Sequence, residues 1–335
     1  MIPGTEESSP RKILIVRLGA MGDVLHALPA VESLARTFPF ASIDWVVKPQ
    51  WIPLLEGNSH LREVIPYTRK SIGDIWAIAR SLRERSYDLV VDLQGLIQSA
   101  MVARLCGAKS VAGYDAPLCR EPLASRFYHR RLTSNSAHIA ERHLDAVAAL
   151  GATLTGLDCQ LPDGVAEGTL PDGPYVLASP FAGWAGKQWP IEHYVELGES
   201  LARDGLATLV LNVNSKDRER LPSAAARCLH ESGIPGLIHA TRHAAAVVGV
   251  DSGPLHLAAA LGQRGVAIFG PTDPARNGPV GNRFTVLRDA SAVTTYKRHD
   301  HIGEAMRRVT PGAVYETLRT MLRTQTSPSP KEPEV

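Results

Sequence analysis

The sequence predicts an α/β protein built from two doubly wound parallel sheets. Three observations carry this. Short β-branched runs recur along the chain, stretches of helical periodicity separate them, and a Pro/Gly-rich segment splits the alternation into two halves. Near-continuous apolar strands between helices imply parallel sheets covered on both faces. A chain of 335 residues also suits two cores better than one.

In the first half, strands are expected over ILIVRL (13–18), SIDWVV (42–47), LVVDL (89–93) and SVAGY (110–114). A helix from about Asp23 to Thr37 sets Val24, Leu25, Leu28, Val31, Leu34 and Ala35 on one face. The segment LPDGVAEGTLPDGP (161–174) reads as an interdomain linker. Beyond it come strand YVLAS (175–179), a helix from about Ile191, strand ATLVLNV (207–213) and a helix over 217–230. Strand VVGV (247–250), a helix from Gly253 and strand GVAIFG (265–270) complete the second half. The expected domains are therefore 1–162 and 175–308, joined by 163–174, with 325–335 a disordered tail. Open parallel sheets bind ligands outside the carboxyl ends of their strands. Candidate sites thus fall after Leu18, Leu93, Ser179, Val250 and Gly270.

Composition narrows the function. At 44% hydrophobic and 21% charged, the chain reads as a soluble globular protein. A net charge of +2 supplies no overall field that would draw nucleic acid. Cys106, Cys119, Cys159 and Cys228 are scattered without a CxxC pair, which fits a reducing compartment and carries no metal signature. The opening MIPGTEESSPRK lacks the apolar core of a signal peptide. No apolar run reaches the ~18 residues of a membrane span. The expectation is a cytoplasmic protein, free to touch a membrane surface.

Several stretches could carry chemistry. RLGAMGDVLHALPA ends a strand with Gly19 and Gly22 and opens a helix with Asp23. Asp23 is either a helix cap or a carboxylate aimed at a ligand that the glycines admit. In VGVDSGPLHLAAALG, Ser252 can cap, Gly253 admits a close ligand and Pro254 suits the first turn. The N–H groups of Gly253, Leu255 and His256, with the helix dipole, would seat an anion. Asp-Ser-Gly-Pro alone is also simply a good helix start, but His256 in the first turn and the nearby FGPTDPARNGP, with Thr272, favour a ligand. SPFAGWAGKQWP holds Gly183, Trp184 and Trp189 around a single lysine, Lys187, whose cation could meet a departing phosphate. Finally, YTRKS gives Arg69 and Lys70, and CREPLASRFYHRRL gives Arg120, Arg126, Arg130 and Arg131 with aromatics between. These are either a solvated charged face or a pocket for an anionic acceptor. Asp92 and Gln94 close a further strand end.

An anion seat on one domain and a carboxylate on the other suggest a two-substrate transfer. A nucleotide diphosphate would lie on the second domain and an acceptor hydroxyl on the first, its proton passing to Asp23. An exposed aspartate, with a pKa of about 3.9, is a weak base near neutrality; closure that removes water would strengthen it.

Taken together, RLGAMGDVLHALPA, GKQWP, VGVDSGPLHLAAALG and FGPTDPARNGP resemble glycosyltransferase family 9, the ADP-heptose:lipopolysaccharide heptosyltransferases. The resemblance spans about Leu14 to Leu318, and REPLASRFYHRR is most similar to the branch that adds the first heptose to Kdo-lipid A. It implies the GT-B architecture, two Rossmann-like domains facing a central cleft, with a helix over 309–324 crossing back to the first domain. It also implies inverting transfer from ADP-L-glycero-D-manno-heptose to Kdo-lipid A, with no metal or cofactor, at the cytoplasmic face of the inner membrane. Asp23 would be the general base and Lys187 would stabilise the leaving diphosphate. Gly22, Gly183, Asp251, Ser252, Gly253, His256 and Thr272 would meet the donor; Arg69, Lys70, Arg120 and Arg126 would meet the acceptor. Two departures stand out. Ala182 and Gly183 occupy places where some relatives carry hydroxyl side chains, and 231–246 looks short for the strand, loop and helix expected there. The second core heptose or another glycan remains open as acceptor. So does a Rossmann-type NAD-dependent oxidoreductase, since Asp44 lies about 20 residues beyond the glycines, although GAMGD lacks the full GxGxxG spacing.

Overall fold

The computed structural model describes residues 9–223, 225 and 228–324; the expected tail, 325–335, lies outside them. The chain divides into two units, Met1–Pro162 and Asp163–Val335. The first runs β1 (Lys12–Val16), α1 (Met21–Thr37), β2 (Ser42–Val47), β3 (Glu63–Pro66), α2 (Gly73–Arg83), β4 (Leu89–Asp92), α3 (Ile97–Leu105), β5 (Ser110–Tyr114), β6 (Arg130–Leu132) and α4 (Ile139–Ala148). The second runs β7 (Tyr175–Ser179), α5 (Ile191–Arg203), β8 (Thr208–Val213), α6 (Ser215–Arg218), β9 (Leu229–Glu231), α7 (Ile234–His243), β10 (Ala246–Val250), α8 (Gly253–Ala260), β11 (Gly265–Phe269), α9 (Pro274–Asn277), β12 (Phe284–Arg288), α10 (Glu304–Arg308) and α11 (Pro311–Arg323).

The sheets share one plan. The first is ordered β3-β2-β1-β4-β5-β6 and the second β12-β11-β10-β7-β8-β9, and every pairing is parallel. Numbered within its own unit, each reads 3-2-1-4-5-6, the doubly wound Rossmann order. The strand order reverses between β1 and β4 in one unit and between β7 and β10 in the other. Neighbouring connections leave the sheet in opposite directions there and open a crevice. The central strands are covered on both faces: Ile13, Leu14, Ile15, Val16, Val90 and Val91 are wholly buried. Helix α1 is buried nearly all round over Met21–Leu34, beyond the single face that its periodicity predicts. Its inward Glu32 is met by Arg36 at 2.7 Å and His60 at 3.0 Å.

Four expectations change. Among the described residues, the helix expected over 217–230 is a single α-helical turn, Ser215–Arg218, because Pro222 has no N–H to continue it. The chain then forms edge strand β9, so 229–243 does hold the strand, turn and helix that 231–246 alone looked too short for. The linker segment is held on the second unit: Val165 N–H donates to Pro235 O (3.1 Å), and Gly233 N–H donates to the Glu167 carboxylate (3.1 Å). Lastly, the helix expected to cross back to the first unit buries its apolar stripe, Val314, Leu318 and Leu322, in the core of the second. It packs on α5, β10 and β11, and Trp189 Nε1 ties the preceding segment down by donating to Val309 O at 2.7 Å.

Leu318→Ala, at a wholly buried position, is therefore expected to cost the second unit about 2–5 kcal/mol. Hydrogen exchange should show lost protection in β10 and β11 with β1 and β4 unchanged. Equal losses in both sheets would contradict this placement of α11.

Candidate functional site

Each crevice holds an ion pair. In the first unit the chain leaves β1 through Arg17 and Leu18, turns at Gly19 and enters α1. Gly19 sits at φ +136°, and a Cβ there would lie 2.4 Å from Trp51 Nε1, so the turn requires glycine. Gly22 is buried in the first turn of α1. Asp23, one residue on, accepts the Ala20 N–H at 2.9 Å, so it does hold the helix start. Its other oxygen pairs with Arg17 at 2.8 Å. The Arg17 side chain is 6% exposed, against 32% for Asp23. The guanidinium also donates to the Asp23 carbonyl (3.3 Å) and to Leu93 O at the end of β4. The two strands of the crevice are thereby joined through one side chain. Gln94 reinforces the join by accepting the Leu18 N–H at 2.9 Å.

Arg17 is the residue that the motif reading missed. Its signal was a lone cation at the end of an otherwise apolar run. Asp92 and Gln94, which close a further strand end, are scaffolding. Asp92 is wholly buried and accepts from Gln94 N–H (2.8 Å) and Tyr128 OH (2.8 Å), and burial pushes its carboxyl pKa upward. Asp44 lies wholly buried in β2, met by Arg62 at 2.8 Å and by Tyr87 OH at 2.6 Å. Those partners occupy the carboxylate that a dinucleotide ribose would need, which removes the support for an oxidoreductase.

In the second unit, Lys187 pairs with Asp251 at 2.6 Å, and His256 Nε2 lies 3.4 Å from the other Asp251 oxygen. The three side chains are 17%, 5% and 7% exposed. Burial drives the Asp251 carboxyl pKa upward, but the His256 ring and the Lys187 ammonium outweigh it and hold the group well below the usual carboxylate range. Lys187 also lies 5.7 Å from the Trp184 ring centroid, a cation–π contact. Helix α8 begins here with Ser252 as N-cap and Pro254 in the first turn. Of the three N–H groups expected to seat an anion, that of His256 is already used by Ser252 O at 3.3 Å; Gly253 and Leu255 supply the other two. The Ser252 and Thr272 hydroxyls, at the ends of adjacent strands β10 and β11, are withdrawn from solvent and find no partner among the described residues. Unpaired buried donors beside a helix N-terminus suit an anion carrying several oxygens. Gly183 stands in open space, so it is free to approach a ligand but is not sterically required to be glycine. Trp189 is a core residue, 1% exposed, edge-on to Tyr194.

The basic residues divide. Arg69, Lys70, Arg120 and Arg126 are exposed, and Arg69 reaches Gln98 at 3.3 Å. Arg130 and Arg131 are spent on the carbonyls of Ala149 and Ser125. Glu231 is taken up by Arg218 at 3.0 Å on the edge strand.

The sequence profile of glycosyltransferase family 9 (heptosyltransferase) matches residues 75–305. Lipopolysaccharide heptosyltransferase 1 of Pseudomonas aeruginosa is 33% identical over 295 residues, 81% of this chain and 81% of that protein. The protein of the same name from Escherichia coli K12 is 31% identical, over 83% of this chain and 93% of its own length. A solved structure, E. coli heptosyltransferase WaaC with ADP, aligns with a TM-score of 0.75 and 28% identity, covering 92% of this chain and 99% of that one. Two Rossmann-type units, each with charge gathered where its strand order reverses, define a glycosyltransferase of GT-B architecture. The chain belongs to glycosyltransferase family 9.

Because the folded pKa of Asp251 is depressed, its ionised form contributes stability above the unfolded value of about 3.9. That contribution is lost as pH falls through the folded value. Lys187→Met leaves burial opposed by His256 alone. It should cost on the order of 1–3 kcal/mol at neutral pH and make acid unfolding of the second unit begin at higher pH. A circular-dichroism acid titration with an unshifted onset would mean that Lys187 does not hold Asp251 ionised.

Proposed function

We propose that the protein transfers heptose from ADP-L-glycero-D-manno-heptose to the Kdo-lipid A inner core of lipopolysaccharide, with inversion at the anomeric carbon. The observation that carries the donor reading is the Lys187–Asp251–His256 cluster at the start of α8, with two unpaired buried hydroxyls beside it. The names of the relatives, and the ADP in the WaaC structure, support the sugar and the nucleotide.

The chemistry divides between the units. The diphosphate of the donor lies over the α8 N-terminus, taking the Gly253 and Leu255 N–H groups, the Ser252 and Thr272 hydroxyls and the Lys187 ammonium. The acceptor hydroxyl attacks the anomeric carbon from the face opposite the phosphate. As the new C–O bond forms, the bond to the β-phosphate oxygen breaks and ADP leaves with the electron pair. Lys187 neutralises the charge that develops on it, so no metal is needed for that task. The acceptor proton passes to Asp23. Among the described residues each Asp23 oxygen has one partner and so keeps acceptor capacity for that proton. Arg69, Lys70, Arg120 and Arg126 supply cations for the carboxylates and phosphates of the acceptor. A lipid-borne acceptor places the enzyme in the cytoplasm, peripheral to the inner membrane. Among the described residues no helix is long and apolar enough to cross one.

Asp23→Asn should retain ADP binding, read by calorimetry, while transfer falls by ~10² or more, the lower range for a lost general base. Turnover at the wild-type rate would reject the base assignment. Arg120→Ala should raise the KM for the acceptor while leaving that for the donor near wild type. Equal effects on both would move this arginine out of the acceptor site.

A further inference from the structure

Of the large apolar side chains that the first unit exposes, Ile72 (63% exposed), Trp76 (58%) and Leu123 (54%) lie on segments that pack against α3. Ile72 caps α2, and Trp76 follows one turn later on the same outward side, while Ile75, Ala79 and Leu82 face the core. Leu123 belongs to the turn of 3-10 helix Pro122–Phe127, which packs against α3 as α2 does. The two segments meet around one cavity of about 340 Å³, to which Ile72 and Glu121 both contribute. Ile72, with Arg69 beside it, and Glu121, two residues before Leu123, thus line one cavity. Exposing a tryptophan and an isoleucine costs free energy that a polar substitution would remove, so the pair needs an occupant.

The charges say what kind. Arg69 and Lys70 precede Ile72, Arg80 continues the Ile72–Trp76 row by one more turn, and Arg120 and Arg126 flank Leu123; all five are exposed. The neighbouring carboxylates are committed to backbone N–H groups. Asp74 accepts from Lys70 and Ser71 at 2.6 Å each, and Glu121 accepts from Ile97 at 2.7 Å. Apolar side chains ringed by long cations, with an indole among them, match an anionic bilayer surface, where acyl and headgroup regions meet.

We propose that Ile72, Trp76 and Leu123, with the cations around them, dock the first unit on an anionic lipid surface. This rests on the reading of a lipid-borne acceptor and names the residues that would touch the membrane.

Co-sedimentation with vesicles of phosphatidylethanolamine and phosphatidylglycerol, against phosphatidylcholine alone, tests it. The wild-type chain should bind the anionic vesicles, and less so as salt rises. Ile72→Ser with Trp76→Ser should weaken binding at least ~10-fold, and Arg80→Gln by about fivefold. All variants should transfer heptose to an acyl-free saccharide acceptor at the wild-type rate. Failure of the wild type to bind, or equal binding by the variants, overturns the proposal. Loss of transfer to the soluble acceptor in Trp76→Ser also overturns it, by assigning the patch to the saccharide. So does self-association without vesicles that Trp76→Ser abolishes, which would make the occupant a second copy. A chain that binds vesicles through these residues yet transfers no heptose would sink the functional reading and leave the surface standing.

Discussion

Each sheet of this chain sets a carboxylate against a cation where its strand order reverses. In the first unit the cation ends strand β1 and the acid opens the next helix. In the second, the acid follows strand β10 and the cation comes from the loop after β7. Folding explains the location. At the reversal, two neighbouring connections diverge, helix N-termini leave N–H groups unpaired, and the sheet supplies no side chain to fill the gap. Polar groups therefore collect there, and they must satisfy one another until a ligand arrives.

Such pairs are poor devices for stability alone, because desolvation offsets much of their attraction. That imbalance favours a functional reading. Lys187 and Asp251 are both largely buried, and the His256 ring adds a second partner, so Asp251 stays ionised and Lys187 stays oriented. In the proposed reaction an arriving diphosphate finds a cation already desolvated and aimed. The cost of orienting it was met in folding rather than at the moment of transfer.

How much was legible depended on whether a residue's role was local. The central strands were readable to within a residue or two because burial on both faces leaves only β-branched and apolar side chains, as in ILIV and VVGV. Asp23, Lys187, Asp251, Ser252 and His256 were readable because strand-to-helix turns with glycine and proline mark the carboxyl edge of a sheet. Edge strands were not. Arg130–Leu132 and Leu229–Glu231 are short, carry polar residues and exist only because a neighbour offers hydrogen bonds. Pro222 broke the helix expected over 217–230, a veto that apolar spacing does not register. Arg17 hid inside a strand pattern, since its purpose is a contact with Leu93, 76 residues away. The direction taken by the last helix was equally invisible: an apolar stripe says that a face is buried, not against what.

The question that remains is whether Asp23 is more than a cap. Capping explains the oxygen that accepts from Ala20, and any surface aspartate would do that task with no guanidinium beneath it. It does not explain why a buried arginine joins that carboxylate to the neighbouring strand. The Arg17 contact fixes where the carboxylate stands, which a cap would not need but a base and its acceptor would. In the proposed transfer the two fit together. The acceptor proton becomes acidic only as its oxygen bonds to the anomeric carbon, so a weakly basic group in the right place suffices. Position is what the pair supplies, and position is what a single displacement asks of its base.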